Sequence, residues 1–248
     1  MQYKRIVPAK FISRPNRFVA VCDLDGKVIS VHVKNTGRCK ELLTEGATVY
    51  LEDSMNEERK MRYSLVAVMK GDMLVNMDSQ APNLVAKEGL LDGSITLAGL
   101  DRLDVVKAEQ TFGKSRFDFY IKDISGREGY LEVKGVTLEY DGVVSFPDAP
   151  TERGVKHVGE LIDAKEKGYY AGILFVVQMG GMKVFAPNDN THRAFGDVLR
   201  KAKEKGVEIL VKECHVTPDT LAIGKDIPIN LTYYLDKIRK RNIQNGCL

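Results

Sequence analysis

The 248 residues are 44% hydrophobic, which excludes a disordered chain and allows one large domain or two small ones, each with its own core. The formal charge is only +3, from 37 Lys and Arg against 34 Asp and Glu; Lys237, Arg239, Lys240 and Arg241 against Asp236 account for it, 4 − 1 = +3. The body is thus electrically balanced, so a nucleic-acid partner has to be argued from local clusters and not from bulk basicity.

From Ile6 to about Val75 the chain reads as short strands separated by turns. Arg17 to Cys22 alternates, Asp25-Gly26 is a hairpin turn signal, and Val28 to Val33 is the return strand. Gly46 to Leu51 and Tyr63 to Met69 add strands around a charged loop, and Lys40-Glu-Leu-Leu reads as one short helical stretch. Such a region suits a small closed barrel of OB-like type, with nucleic-acid binding or protein interaction both open to it. Pro82 ahead of Leu84 to Leu91 marks a helix start and Gly93 its end. The domain boundary is placed near residue 80, giving an OB-like barrel over 1–80, a second domain over 81–235 and a basic tail over 236–248.

Past that boundary, Val105 to Phe112, Ser115 to Lys122 and Gly129 to Leu138 read as three strands, with a turn at Ser125-Gly126. A helix from Gly154 to Lys167 places Val158, Leu161, Ile162 and Ala164 on one face and stops at Gly168. Ala171 to Gln178 is apolar throughout, as a strand buried on both faces would be. A last helix near His192 to Lys205 and a strand from Val207 to Lys212 complete a mixed α/β fold whose second domain runs αβββαβ.

The cysteines Cys22, Cys39, Cys214 and Cys247 form no C-x-x-C pair, so neither a zinc knuckle nor a disulfide framework is indicated. No stretch reaches the roughly 18 apolar residues of a membrane span, and a soluble, cytoplasmic protein is expected. His32, His157, His192 and His215 are scattered without metal-ligand spacing, and no phosphate-binding glycine loop or nucleophile elbow occurs.

Chemistry concentrates in three residues. Asp118 interrupts the apolar alternation of Ser115-Arg-Phe-Asp-Phe, and Glu132 and Lys134 lie two apart in Leu131-Glu-Val-Lys-Gly. Period-two geometry puts Glu132 and Lys134 on one strand face, with Asp118 on the neighbouring hairpin strand. Two carboxylates so placed suit a hard dication, Mg²⁺ or Mn²⁺, and a lysine beside them can hold an attacking water. A cross-strand salt bridge on a solvated face accounts for the spacing equally well. Glu58-Arg-Lys repeats the E-x-K spacing, but in a charged loop without an Asp-bearing strand ahead of it. The apolar flanks favour the metal site, because clustered buried charges need a strong partner.

Several separated strings occur in order from Arg17 to Val211: Asn35-Thr-Gly-Arg with Glu41-Leu-Leu, Ser115-Arg-Phe-Asp-Phe, Glu132-Val-Lys, Val136-Thr-Leu, Phe146-Pro-Asp-Ala-Pro-Thr-Glu-Arg-Gly with Lys156-His157, and Phe175-Val-Val-Gln. Together they resemble the sugar fermentation stimulation proteins. The resemblance implies an OB-like domain followed by a PD-(D/E)XK nuclease-like, restriction-endonuclease-like domain, an association with DNA binding, and Asp118, Glu132 and Lys134 in the nuclease positions. It also implies an additional acid at Glu109, and departs from the family at Gly135, where serine is frequent.

The segment Pro147 to His157 enters a helix, so its first amides with Arg153, Lys156 and His157 could meet a phosphate; an ordinary cap by Thr151 or Glu152 is the alternative. Arg116 on the Asp-bearing strand and Arg38 at the barrel edge are further nucleic-acid candidates, while Arg38 could instead pair with Glu41. Arg14, Arg17, Phe11 and Phe18 form a second mixed surface, although alternation places Phe18 in the core. Three readings follow: a metal-dependent nuclease, a non-cleaving DNA-binding regulator of sugar metabolism genes, and a structural salt bridge beside an interaction barrel.

Overall fold

The computed structural model describes residues 1–35, 37–56 and 58–237. Thr36, Cys247 and all but the first two residues of the expected tail lie outside them. Six strands come first: β1 (Ile6–Asn16), β2 (Val19–Leu24), β3 (Lys27–Val33), β4 (Thr48–Asp53), β5 (Tyr63–Lys70) and β6 (Met73–Asn76). They run β3-β2-β1-β4-β5-β6, and a parallel pairing of β3 with β5 closes the first five into a barrel. β1 can serve two neighbours because register shifts after Phe11 and Ser13 bend it. Asp25 and Gly26 both have positive φ, 51° and 81°, as the two-residue turn between β2 and β3 requires. Ala20, Cys22, Val31, Val49, Leu51, Leu65 and Val68 fill the interior.

Two local expectations fail here. Lys40 to Leu43 is a turn, in which the Leu42 and Leu43 amides both donate to the Cys39 carbonyl. One such turn is too short to propagate as a helix. Phe18 is 46% exposed, with the Arg17 guanidinium 4.8 Å from its ring centroid, whereas Phe11 is buried. The first bend of the β1–β2 connection turns Phe18 outward, since the Phe18 amide is tied to Asn16 Oδ1.

α1 (Ala81–Asp92) follows directly and stops at Gly93, φ 83°. Then come β7 (Leu103–Phe112), β8 (Ser115–Asp123), β9 (Glu128–Val136), β10 (Leu138–Tyr140), β11 (Val143–Phe146), α2 (Glu152–Glu166), β12 (Tyr170–Val177), β13 (Val184–Pro187), α3 (Arg193–Glu204), β14 (Glu208–Val216) and β15 (Leu221–Asp226). The main sheet runs β15-β14-β12-β9-β8-β7, with β12 parallel to both β9 and β14 and the outer pairs antiparallel. Every residue of β12 is buried, as a central parallel strand demands. One face packs on α2 and α3 through Ile173, Phe175 and Val177, the other on α1 through Leu174 and Val176.

A small second sheet, β10-β11-β13, was not expected. The strand read as continuous to Leu138 breaks at Thr137, where the chain leaves the main sheet. The buried set on the α2 and α3 face is continuous with the barrel interior, so one apolar core spans both sheets. Cys22, Cys39 and Cys214 are buried free thiols. Among the described residues no helix is long and apolar enough to cross a membrane.

Candidate metal and nucleic-acid site

β8 and β9 form a hairpin whose backbone ladder ends at Phe119 opposite Leu131; just beyond it the Asp118 carboxylate accepts from the Val133 amide, which brings Asp118 beside Glu132. Leu131 and Val133 point toward α1, so Glu132 and Lys134 face the α2 side. The Glu132 side chain is 3% exposed. Its Oε1 is bonded to Lys134 Nζ and, at 2.6 Å, to His157 Nδ1 from the first turns of α2. Its Oε2 is buried with no hydrogen-bond partner. Asp118 accepts from the Val133 amide at 2.8 Å and from Asn83 Nδ2 on α1 at 2.9 Å.

The two carboxyls are pushed apart in acidity. Burial, then the neighbouring Glu132 charge, raises Asp118 above the ordinary carboxylate value, against the opposing pull of the Val133 amide, Lys134 and Asn83. Burial works the same way on Glu132, but the bonds from His157 and Lys134 and the lysine charge outweigh it and hold that carboxyl low. The raised Asp118 and the donorless buried oxygen of Glu132 mark a local shortage of positive charge and donors. The donor set fits a hard dication, which Asp118 and the free oxygen of Glu132 could hold. Among the described residues no cluster of three or more His, Cys, Asp or Glu is placed to hold a metal. Two carboxylates with water completing the shell is the arrangement Mg²⁺ accepts.

Asp118, Glu132, Lys134, Asn83, Gly135 and Arg153 line one hollow of about 290 Å³. Adjoining hollows share its walls. Through Arg153 it meets a larger one of about 540 Å³ formed by Lys114, Arg116, Lys156 and His157. On the other side Ser79, Gly135 and Phe146 are shared with a hollow of about 200 Å³ against the barrel, which through Gly37 meets another lined by Arg14, Arg17, Arg38 and Lys40. The carboxylates thus sit midway along a track with basic ends.

The remaining expected residues divide. Arg116, Arg153 and Lys156 are exposed along this track, as is Arg38 at its barrel end. Glu109 is 67% exposed and paired with Arg116 at 3.4 Å, on the outer strand and turned to solvent. His157 is 4% exposed and bonded to Glu132, so it backs the carboxylate and does not open to solvent. Thr151 Oγ1 does cap α2, accepting from the Gly154 amide at 3.0 Å. Arg14 spends its guanidinium on the carbonyls of Arg17, Asn35, Gly37 and Arg38, shaping the loop that carries Arg38. At Gly135 an added Cβ would lie 2.7 Å from Gln178 Oε1 and 2.8 Å from Pro82, so glycine lets both close over the track. Asn83 was missed from the sequence, and nothing local singles it out.

Residues 12–77 match the family described as the SfsA N-terminal OB domain, and residues 80–220 match the sugar fermentation stimulation protein RE domain. A sugar fermentation stimulation protein homolog of Clostridium botulinum (strain Kyoto / Type A2) is 51% identical over 92% of this chain and 98% of its own. One from Desulfitobacterium hafniense is 49% identical over 93% and 99%. The solved structure of Pyrococcus furiosus SfsA in complex with Ca²⁺ aligns with a TM-score of 0.81 at 25% identity, covering 93% of this chain and 98% of that one. The chain belongs to the sugar fermentation stimulation protein family, with an OB domain followed by a restriction-endonuclease-like domain.

Proposed function

We propose that the protein is a divalent-cation-dependent phosphodiesterase acting on DNA, in which residues 1–80 grip the substrate and residues 81–235 cut it. One observation carries this reading: two unlike carboxylates and a lysine lie at the centre of a track whose ends are basic. The Ca²⁺ complex of the Pyrococcus furiosus relative supports a dication here, and Mg²⁺ or Mn²⁺ is the one we assign for turnover. Asp118 and Glu132 would hold it. When bound, such an ion stabilises charge developing on a phosphoryl oxygen and eases deprotonation of water.

The chain's own residues supply the rest. Lys134, the more exposed partner in the Lys134–Glu132 pair, turns from Glu132 to hold the attacking water and steady its negative charge. Arg153 receives the scissile phosphate at the mouth of α2, where the helix dipole adds to its charge. Arg116 and Lys156 on one side and Arg38 on the other bind flanking phosphates and fix register without reading sequence.

A cleavage assay on single- and double-stranded DNA and RNA with Mg²⁺ or Mn²⁺ tests the reading. Asp118→Ala is expected to abolish cleavage, and Lys134→Ala to slow it by about 10²- to 10⁴-fold. Cleavage that survives both substitutions would come from another site and sink the assignment. Binding without cleavage in either metal would instead identify a non-cleaving DNA-binding regulator.

A further inference from the structure

The proposed site contains a conflict. Lys134 is to serve the attacking water, yet its ammonium is bonded to Oε1 of a carboxylate that is almost fully buried. Withdrawing the only donor from a buried, charged oxygen would strand it, and the lysine would stay where it is. His157 removes that difficulty, because its Nδ1 lies 2.6 Å from the same oxygen.

The ring's tautomer follows from its other neighbour. Arg153 Nε lies 3.3 Å from His157 Nε2. A guanidinium has donors only, so Nε2 accepts and the ring proton belongs on Nδ1, directed at Glu132. The imidazole is wedged edge-on against Phe117, with ring centroids 6.2 Å apart, which restricts its swing. The two oxygens of Glu132 therefore have different surroundings: Oε1 has two donors and Oε2 has none.

We propose that His157 is a positioning residue for Glu132: it holds Oε1 so that Lys134 is free to leave, and so that Oε2 alone is presented to the cation. This rests on the metal-site reading above. It adds a division of labour between the two oxygens and links Arg153, on the phosphate track, to the metal-binding carboxylate through one imidazole.

Mn²⁺ binding to the full chain without nucleic acid, followed by electron paramagnetic resonance, tests it. His157→Phe keeps the ring shape and removes the donor; its Mn²⁺ dissociation constant should rise about 10-fold or more, the usual cost of losing a group that orients a metal ligand. His157→Asn places an amide near the Nδ1 position and should restore affinity to within about 3-fold of wild type, well short of that loss. Wild-type affinity in His157→Phe, or equal loss in both variants, overturns the positioning role while leaving the metal site standing. No Mn²⁺ binding by the wild type at millimolar concentration overturns both. Should His157→Phe fail to fold, judged by its melting in EDTA, imidazole ¹⁵N shifts of the wild type decide: a proton on Nδ1 and a bare Nε2 support the proposal, and a proton on Nε2 overturns it.

Discussion

β8 carries two aspartates, one within the strand and one at its C-terminal end, and the chain treats them in opposite ways. At the C-terminal end Asp123, 1% exposed, accepts from the amides of Asp101, Ser125 and Arg127, from Ser125 Oγ and from Arg127 Nε. Burial raises its pKa, but those donors outweigh burial and hold the carboxyl well below the ordinary range. Within the strand Asp118 has two donors, a neighbouring carboxylate and a raised value. A carboxylate that serves folding is saturated by the chain itself. The one we propose as a metal ligand is left short of donors, a shortage that a cation would answer.

Substitutions can break this contrast. The largest fall in stability should follow Asp123→Ala, which takes the acceptor from the Asp101, Ser125 and Arg127 amides at once; thermal melting checks it. The linkage has a definite sign. A depressed folded value means that the Asp123 contribution is present above the unfolded carboxylate value of about 4 and is lost as pH falls through the folded one. The difference in stability between wild type and Asp123→Asn should therefore shrink on acidification below about pH 4. A difference that does not change with pH would remove the electrostatic account of this turn.

Asp118→Asn should do the reverse. A raised folded value is a penalty that grows as pH rises through it, so the amide should melt at or above the wild-type temperature near neutral pH in EDTA, with the gain vanishing in acid. With Mn²⁺ at about one hundred times its dissociation constant, the wild type should gain about 2.7 kcal/mol and Asp118→Asn nearly none. A variant that is less stable in EDTA would make Asp118 a structural carboxylate like Asp123. The smallest effect should come from Asn83→Ala, which removes one of the two Asp118 donors at an exposed position. Stability should fall by about 0.5–1 kcal/mol, with Mn²⁺ affinity almost unchanged.

Much of this was legible in the sequence because it rests on local rules. The two-residue period of β9 set Glu132 and Lys134 on one face, the adjacency of β8 brought Asp118 beside them, and Gly93 and Gly168 marked where two helices end. The unread parts depend on contacts far along the chain. Asn83 reaches Asp118 across 35 residues and His157 reaches Glu132 across 25, and no spacing rule extends so far. His157 was expected among residues open to nucleic acid; only the packing of α2 on the sheet shows it behind the carboxylate. β10, β11 and β13 have three or four residues each, too few for an alternation to declare itself. Phe18 obeyed the alternation on paper, but a bent connection reversed its side.

The continuous apolar core has a consequence for how the molecule can be cut and reused. Because Ala20, Val31 and Leu65 of the barrel belong to the same buried set as Val158, Phe175 and Leu199, severing the chain between the sheets would expose apolar surface on both pieces. The two parts should melt in one calorimetric transition, and neither should behave as a portable module. Whatever the barrel grips is then held at a fixed distance from the carboxylates, and the chain works as a rigid jig with no tether to adjust.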